Sequence, residues 1–170
     1  MAKLIPLTKG QFAIVDDEDH DELMKYRWTA WKGGNTWYAR RSKYKIGGGY
    51  YTITMHRVII GAKDNQIVDH KDRNGLNNQK NNLRLCTRSE NSKNKKAVGI
   101  SGFLGVSIRP RKILLKNGEY HIYDSWVARI KVKNKTITLG CFRNKIDAAK
   151  AYNKAAKKYH GEFVNLNIIN

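Results

Sequence analysis

Cysteine is nearly absent: Cys86 and Cys141 stand alone in 170 residues, far apart and outside any CxxC spacing. A disulfide-stapled scaffold is therefore excluded, and a zinc site built mainly from thiolates fails on ligand count. The two thiols read as buried and reduced rather than bridged. Long apolar runs are missing too, so no segment is expected to cross a bilayer. The opening residues, MAKLIPLTKGQF, lack the apolar core of a secretory leader, and the chain is expected to stay in the cytoplasm. There is no internal repeat and no low-complexity tract.

Acidic residues are the scarcest class relative to their counterpart. Fourteen Asp and Glu face 33 Lys and Arg, a net charge of +19. The excess is not a tail: residues 1–97 hold 19 basic and 10 acidic residues, and residues 98–170 hold 14 and 4. A charge this large repels itself in a compact state, so a polyanionic partner is expected, nucleic acid first. A membrane surface fits less well, because the basic residues interleave with strand-like apolar ones and form no amphipathic basic helix.

Composition shifts between Ser92 and Gly102, in SKNKKAVGISG, a small, polar and basic stretch that reads as a linker. Before it, Phe12–Val15, Thr36–Arg41 and Tyr51–His56 are β-branched and aromatic and read as strands. Gly47-Gly48-Gly49 marks a turn. The acidic cluster from Asp16 to Glu22 reads as a solvated turn leading into a short helix through Leu23–Tyr26, not as a metal site. Trp28, Trp31 and Trp37 read as core or sheet-packing residues.

After the linker the pattern is sharper. Val106 and Ile108, then Ile113 and Leu115, lead into Asn117-Gly118, a strong hairpin signal. A return strand runs from about Tyr120 to Lys133, and a third covers Lys135–Leu139. Asn144 caps a helix with Asp147 in its first turn, an inner stripe of Ala148, Ala149, Tyr152, Ala155, Ala156 and Tyr159, and Gly161 at its end. Three antiparallel strands and one helix follow, with a basic free sheet face.

The segment Ile67–Asn94 reads IVDHKDRNGLNNQKNNLRLCTRSENSKN. It is expected to fold as a strand ending in Asp69-His70, a polar loop, a second strand Asn82–Leu85, and a helix opened by Ser89-Glu90-Asn91 under a Thr87 or Ser89 cap. Hydrolysis of a phosphodiester needs a base near neutral pH, which histidine supplies. It also needs neutralisation of phosphate charge, which a hard cation held by oxygens supplies. Asp69 and Asn91 offer one anionic and one neutral oxygen. Neighbouring strand residues point to opposite faces, so Asp69 and His70 serve one site only if the strand ends or bends there. Taken singly these residues are unremarkable: an Asp-His pair is common, Asn82 suits a turn, and Asn91 suits a helix surface. Their joint order changes the reading.

That order, VDHKDRN then NNL then SEN, resembles the ββα-metal core of HNH endonucleases, in the Asn-ending variety found among phage and intron-encoded homing enzymes. The resemblance implies His70 as general base, Asp69 and Asn91 as metal ligands for Mg2+ or Mn2+, and Asn82 as the residue that braces the loop. Met55-His56-Arg57 also resembles the His-Arg that precedes this core. His56 is left between a buried strand histidine and an active-site contact, and Arg57 is a candidate phosphate contact. His20, His121 and His160 read as surface residues. Asn91 stands where the histidine-ending form has its last histidine, which weighs against tight zinc or nickel binding.

Residues from about Ser101 to Asn167 resemble the AP2/ERF DNA-binding domain. The pieces are Gly105-Val106, Trp126 with Ala128 and Ile130, Leu139-Gly140-Cys141-Phe142, Asp147 to Tyr152, and Gly161 with Asn165-Leu166-Asn167. That family docks its sheet in the major groove. The outward positions here are Ser107, Arg109, Arg111, Arg129, Lys131, Lys133, Thr136 and Thr138, the DNA-binding set, with the arginines suited to guanine edges and the lysines to phosphates. Thr136 and Thr138 stand where plant members often carry Arg and Trp, so sequence preference does not carry over.

The expectation is an α+β chain: an HNH module over 1–97 with an N-terminal β extension, and a three-stranded sheet with one helix over 98–170. Its expected function is site-selective, homing-type cleavage of double-stranded DNA in a bacterial or phage-infected cell. One Asp-His…Asn constellation and no heptad run imply a monomer that nicks one strand. The rivals are a DNA-binding regulator with a degenerate HNH core, which the intact Asp69, His70 and Asn91 oppose, and a ribonucleoprotein component.

Overall fold

A computed structural model describes residues 1–97 and 99–169. The chain is mixed α+β and divides into two compact units, Met1–Ser92 and Lys93–Asn170. The division falls at the start of the basic linker stretch, earlier than residue 97.

The first unit opens with a hairpin of β1 (Ala2–Pro6) and β2 (Phe12–Asp16). Lys9 and Gly10 close it in the left-handed region at φ 60 and 65. Helix α1 (Asp17–Met24) begins directly after β2 with Asp17, Glu18 and Asp19 in its first turn, where carboxylates suit the helix dipole. A three-stranded antiparallel sheet follows: β3 (Thr29–Gly33), β4 (Thr36–Tyr44) and β5 (Tyr50–Thr54), with β4 central. Ile5, Ala13 and Val15 of the hairpin, Leu23, Trp28, Ala39 and Met55 form one buried cluster. Trp28 is buried with its indole N–H donating to the Leu23 carbonyl at 2.9 Å. Trp31 behaves otherwise and stays 42% exposed.

One difference from expectation matters for the site. The strand expected over Tyr51–His56 stops at Thr54, and helix α2 (Met55–Ile59) takes over. The Ile60 N–H donates to the His56 carbonyl, a helical turn that brings both Met55 and Ile59 onto the core. His56 is therefore a helix residue. Beyond it, β6 (Ile67–His70) and β7 (Leu83–Cys86) pair antiparallel, and α3 (Arg88–Asn91) packs on both.

The second unit is a three-stranded antiparallel sheet in the order β10-β9-β8, built from β8 (Val106–Leu114), β9 (Tyr120–Val132) and β10 (Lys135–Phe142). Helix α4 (Lys145–His160) covers one face. Asn144 caps it, accepting from the Asp147 N–H at 2.8 Å. Its buried stripe is Ala148, Ala149, Tyr152, Ala155, Ala156 and His160. Tyr159 is exposed instead, and His160 turns inward with Nε2 3.1 Å from the Lys131 carbonyl, a correction to its reading as a surface residue. The small stripe lets the helix press so close that a Cβ on Gly105 would lie 2.1 Å from the Tyr152 ring. Neither cysteine is fully buried: Cys86 is half-buried and Cys141 exposed, and both are free thiols.

The two turns of this sheet exchange the expected roles. Leu115 and Glu119 close a three-residue loop in which only Gly118 is left-handed, at φ 84. The tight two-residue turn sits at Lys133-Asn134, both left-handed at φ 44 and 65, as a hairpin turn of the primed kind requires. Lys133 is thus a turn residue and not part of the sheet face.

Candidate active site

Asp69 and His70 are neighbours at the end of β6, where the strand gives way to a polar loop, and each has hydrogen-bond partners of its own. Both are 6% exposed at the end of β6. Asp69 lies opposite Arg84, whose Nε and Nη2 donate to its Oδ2 at 2.9 and 2.7 Å. This buried guanidinium fork orients the carboxylate and balances its charge.

His70 bonds into the loop that follows. Its Nε2 lies 3.3 Å from Oδ1 of Asn78, which is fully buried. The Asn78 amide has only one orientation open to it, because its Nδ2 donates to the Leu76 carbonyl at 3.1 Å. Oδ1 can only accept, so Nε2 of a neutral His70 must donate, and Nδ1 carries the lone pair. Burial pulls the His70 pKa down, against the pull upward of Asn78, Asp72 and Asp69. The imidazole is accordingly neutral near pH 7, the state in which it accepts a proton.

Between β6 and β7 the chain forms a polar loop held by asparagine and aspartate side chains. Asn82 is its hub. The Asn82 Oδ1 accepts from the Asp72 N–H at 3.0 Å, while Nδ2 donates to Asp72 Oδ1 at 2.9 Å and to the Asn77 carbonyl at 2.7 Å. The N-terminal hairpin anchors the same loop. Ile14 N–H donates to the Leu76 carbonyl at 2.8 Å, and Asn78 N–H to the Ile14 carbonyl at 2.7 Å. Asp16 accepts from Gln79 Nε2 and the Lys80 N–H. Against β4 the loop approaches so tightly that a Cβ on Gly75 would lie 2.5 Å from the Trp37 carbonyl and 2.6 Å from the Tyr38 ring.

Two residues that sequence reasoning left undecided or passed over complete the cluster. The His56 ring is 5.0 Å from the His70 ring, and the Tyr38 ring is 5.8 Å from each. His56 Nε2 lies 3.2 Å from Thr54 Oγ1, and its buried Nδ1 has no hydrogen-bond partner among the described residues. Burial first, then His70 and Arg57, push its pKa down to about 3. Burial and the negative Asp69 raise that of the Tyr38 phenol. No local signal marked Tyr38 or Asn78; each matters through a partner distant in sequence.

The other predicted residues are placed as follows. Arg57 donates from Nη1 to the Gln66 carbonyl at 2.7 Å and from Nη2 to the Lys63 carbonyl at 2.6 Å, so its guanidinium braces the turn before β6 instead of facing a phosphate. Asn91 ends α3, a single turn fixed by reciprocal bonds between Thr87 and Glu90, and it is exposed. Of the sheet residues, Ser107, Arg109 and Arg111 on β8, Arg129 and Lys131 on β9, and Thr136 and Thr138 on β10 are all exposed. Thr136 pairs with Lys131 and Thr138 with Arg129, so these four share one face.

Residues 55–93, the span from α2 through α3, match the HNH endonuclease family. The chain is also 32% identical over 162 residues to a protein of Acanthamoeba polyphaga mimivirus described as an HNH endonuclease, covering 95% of this chain and 77% of that one. This chain belongs to the HNH endonuclease family. No solved structure matches it. The buried Asp69–His70 pair, Asn82 and Asn91 all lie inside the matched span, whereas the hairpin and sheet that hold them lie outside it.

HNH nucleases generally use a divalent metal. The donors present here fit a hard cation: a carboxylate on β6 and an amide oxygen on α3, the helix that packs against that strand. No cluster of three or more His, Cys, Asp or Glu suited to a metal occurs among the described residues. No described helix of this nuclease is long and apolar enough to cross a membrane.

Proposed function

We propose that the chain is a site-selective, homing-type DNA endonuclease that nicks one strand of a duplex with Mg2+ or Mn2+. The observation that carries the reading is the His70 imidazole, buried, neutral and held by Asn78 so that Nδ1 accepts. In this reading Nδ1 takes the proton of the attacking water as the new P–O bond forms. The P–O3′ bond breaks, leaving a 5′-phosphate and a 3′-hydroxyl. Asp69 and Asn91 would hold the cation, which would neutralise charge on the scissile phosphate and the leaving oxygen. Arg84 aims Asp69, and Asn82 keeps the loop closed.

The second unit serves as the grip. Its helix-backed sheet presents Arg109, Arg111, Arg129 and Lys131 with Ser107, Thr136 and Thr138, and the resemblance to AP2/ERF domains supports docking of that face in the major groove. Lys133, in the turn, is suited to a flanking phosphate. One site per chain supports action as a monomer on DNA, in the cytoplasm of a bacterial or phage-infected cell. The test is a supercoiled plasmid incubated with the full chain and Mg2+. Nicked circles are expected first, and His70→Ala slows their formation by about two to four orders of magnitude while duplex affinity is retained. A His70→Ala protein that nicks at the wild-type rate removes His70 from the chemistry. An absence of nicking by the wild type favours the rival, a DNA-binding regulator with a degenerate core.

A further inference from the structure

From the register of the first unit's sheet and its contacts with the two histidines, we infer that the Tyr38 face of β3–β5 is a second duplex-binding surface. It leads the DNA strand into His70. The inference rests on the reading of the chain as a DNA nuclease.

The pleat divides this sheet into two unlike faces. One carries Ala30, Ala39 and Ile53 and packs on the core of the unit. The other carries Trp31 opposite Tyr38, Arg40 opposite Thr54, and Ser42 opposite Thr52, ending at Tyr44 opposite Tyr50. Trp31, Tyr44 and Tyr50 are exposed at 42%, 61% and 76%. Exposed rings in a row mark a contact surface more than a solvent surface.

Three observations select nucleic acid as the occupant. Residues 23–63 contain no Asp or Glu, so this face carries no carboxylate, and Arg40 is its strand cation, with Lys32, Arg41 and Lys43 on the other face. The Arg40 guanidinium stacks on the Trp31 ring, 5.1 Å from its centroid, an arrangement that presents a flat cation and a π-face together. The face is also continuous with the active site, because the same Tyr38 ring that neighbours Trp31 at 6.0 Å lies 5.8 Å from His70. From Tyr38 to Tyr44 the strand extends roughly 20 Å, the length of about six base pairs. A backbone running along it arrives at the imidazole.

The experiment compares two single charges placed one residue apart on the same strand. Thr52→Glu puts a carboxylate on the Tyr38 face, and Tyr51→Glu puts one on the opposite face; both positions are exposed. The full chain is titrated against fluorescein-labelled duplex DNA of random sequence, in EDTA, over a salt series. Thr52→Glu adds a carboxylate that offsets one positive charge of the face, and is expected to lower the salt slope by about one and weaken binding roughly eightfold at 0.1 M salt. Tyr51→Glu is expected to change affinity less than about twofold. Ser42→Glu, on the neighbouring strand and the same face, repeats the test should Thr52→Glu disturb the fold. Equal losses on the two faces overturn the inference and leave only the net charge. Failure of the wild type to bind duplex overturns the nuclease reading beneath it.

Discussion

His56 makes the first unit acid-sensitive, and the size of the effect follows from its surroundings. In the unfolded chain the imidazole takes a proton near its ordinary pKa of 6.5, whereas in the fold burial holds it down to about 3. A group whose folded pKa is depressed contributes stability that is fully present above pH 6.5 and is lost as the pH falls through the window from 6.5 towards 3. Each unit of the gap is worth 1.36 kcal/mol, so the loss due to His56 between pH 7 and pH 5 is about 2 kcal/mol. It reaches about 4 kcal/mol at pH 3. His56→Gln removes the titrating group while keeping a polar side chain beside Thr54. Urea unfolding at the two pH values, followed by tryptophan fluorescence, reads the difference, since Trp28, Trp31 and Trp37 all lie in the first unit. The wild type should lose about 2 kcal/mol more than the variant on acidification. His70 also resists protonation, but it contributes to both proteins and cancels. Identical pH dependence in wild type and His56→Gln would refute the reasoning and mean that His56 is solvated or protonated in the fold.

Three further outcomes are expected. Arg84→Leu strands Asp69, 6% exposed, without its guanidinium, and should cost about 3–5 kcal/mol of first-unit stability, measured by denaturant unfolding; a loss below about 1 kcal/mol would show that Asp69 is solvated. Cleavage should stop after exhaustive chelation and return with added Mg2+, because the donors at Asp69 and Asn91 are oxygens; full activity of the chelated protein counts against the ligand assignment. Lys131→Ala should lower the salt slope of duplex binding by about one on every sequence tested, whereas Arg109→Ala should relax preference at one base position; a uniform loss from Arg109→Ala would make it a phosphate contact.

Local chemistry announced much of the second unit. Asn144 with Asp147 three residues on is a cap that needs no tertiary information, and the alanine stripe could face nothing but a sheet. The errors there came from competition between turns: Asn117-Gly118 looks like the tight turn, yet Lys133-Asn134 is the pair that adopts left-handed backbone, which took Lys133 off the sheet face. In the first unit, the order of Asp69, His70, Asn82 and Asn91 was visible because it is confined to one short segment. Strand β3 was not, because Trp31 and Lys32 give no alternation of burial and the strand exists through its register with β4. His56 was misplaced on a strand because Tyr51–Ile53 runs into Met55 without a break, and core packing of Met55 and Ile59 four apart suits a strand as well as the helix that forms. Asn78 sits among asparagines that all look like turn residues. Its role depends on Ile14, more than sixty positions earlier, which composition cannot supply.

The dependence on Ile14 bears on how such nucleases can be cut and joined. The family match begins at residue 55, and a designer of fusions would be tempted to transplant 55–93 as a cassette. That cassette would leave behind the β2 carbonyl that holds Asn78, the Asp16 carboxylate that ties down Gln79 and Lys80, and the Tyr38 ring beside His70. It would keep every residue of the motif and lose the parts that set the imidazole's tautomer and aim. The smallest piece of this chain that keeps those contacts is therefore the whole of Met1–Ser92, and a fusion junction belongs in the basic stretch after it, where one compact unit ends and the next begins.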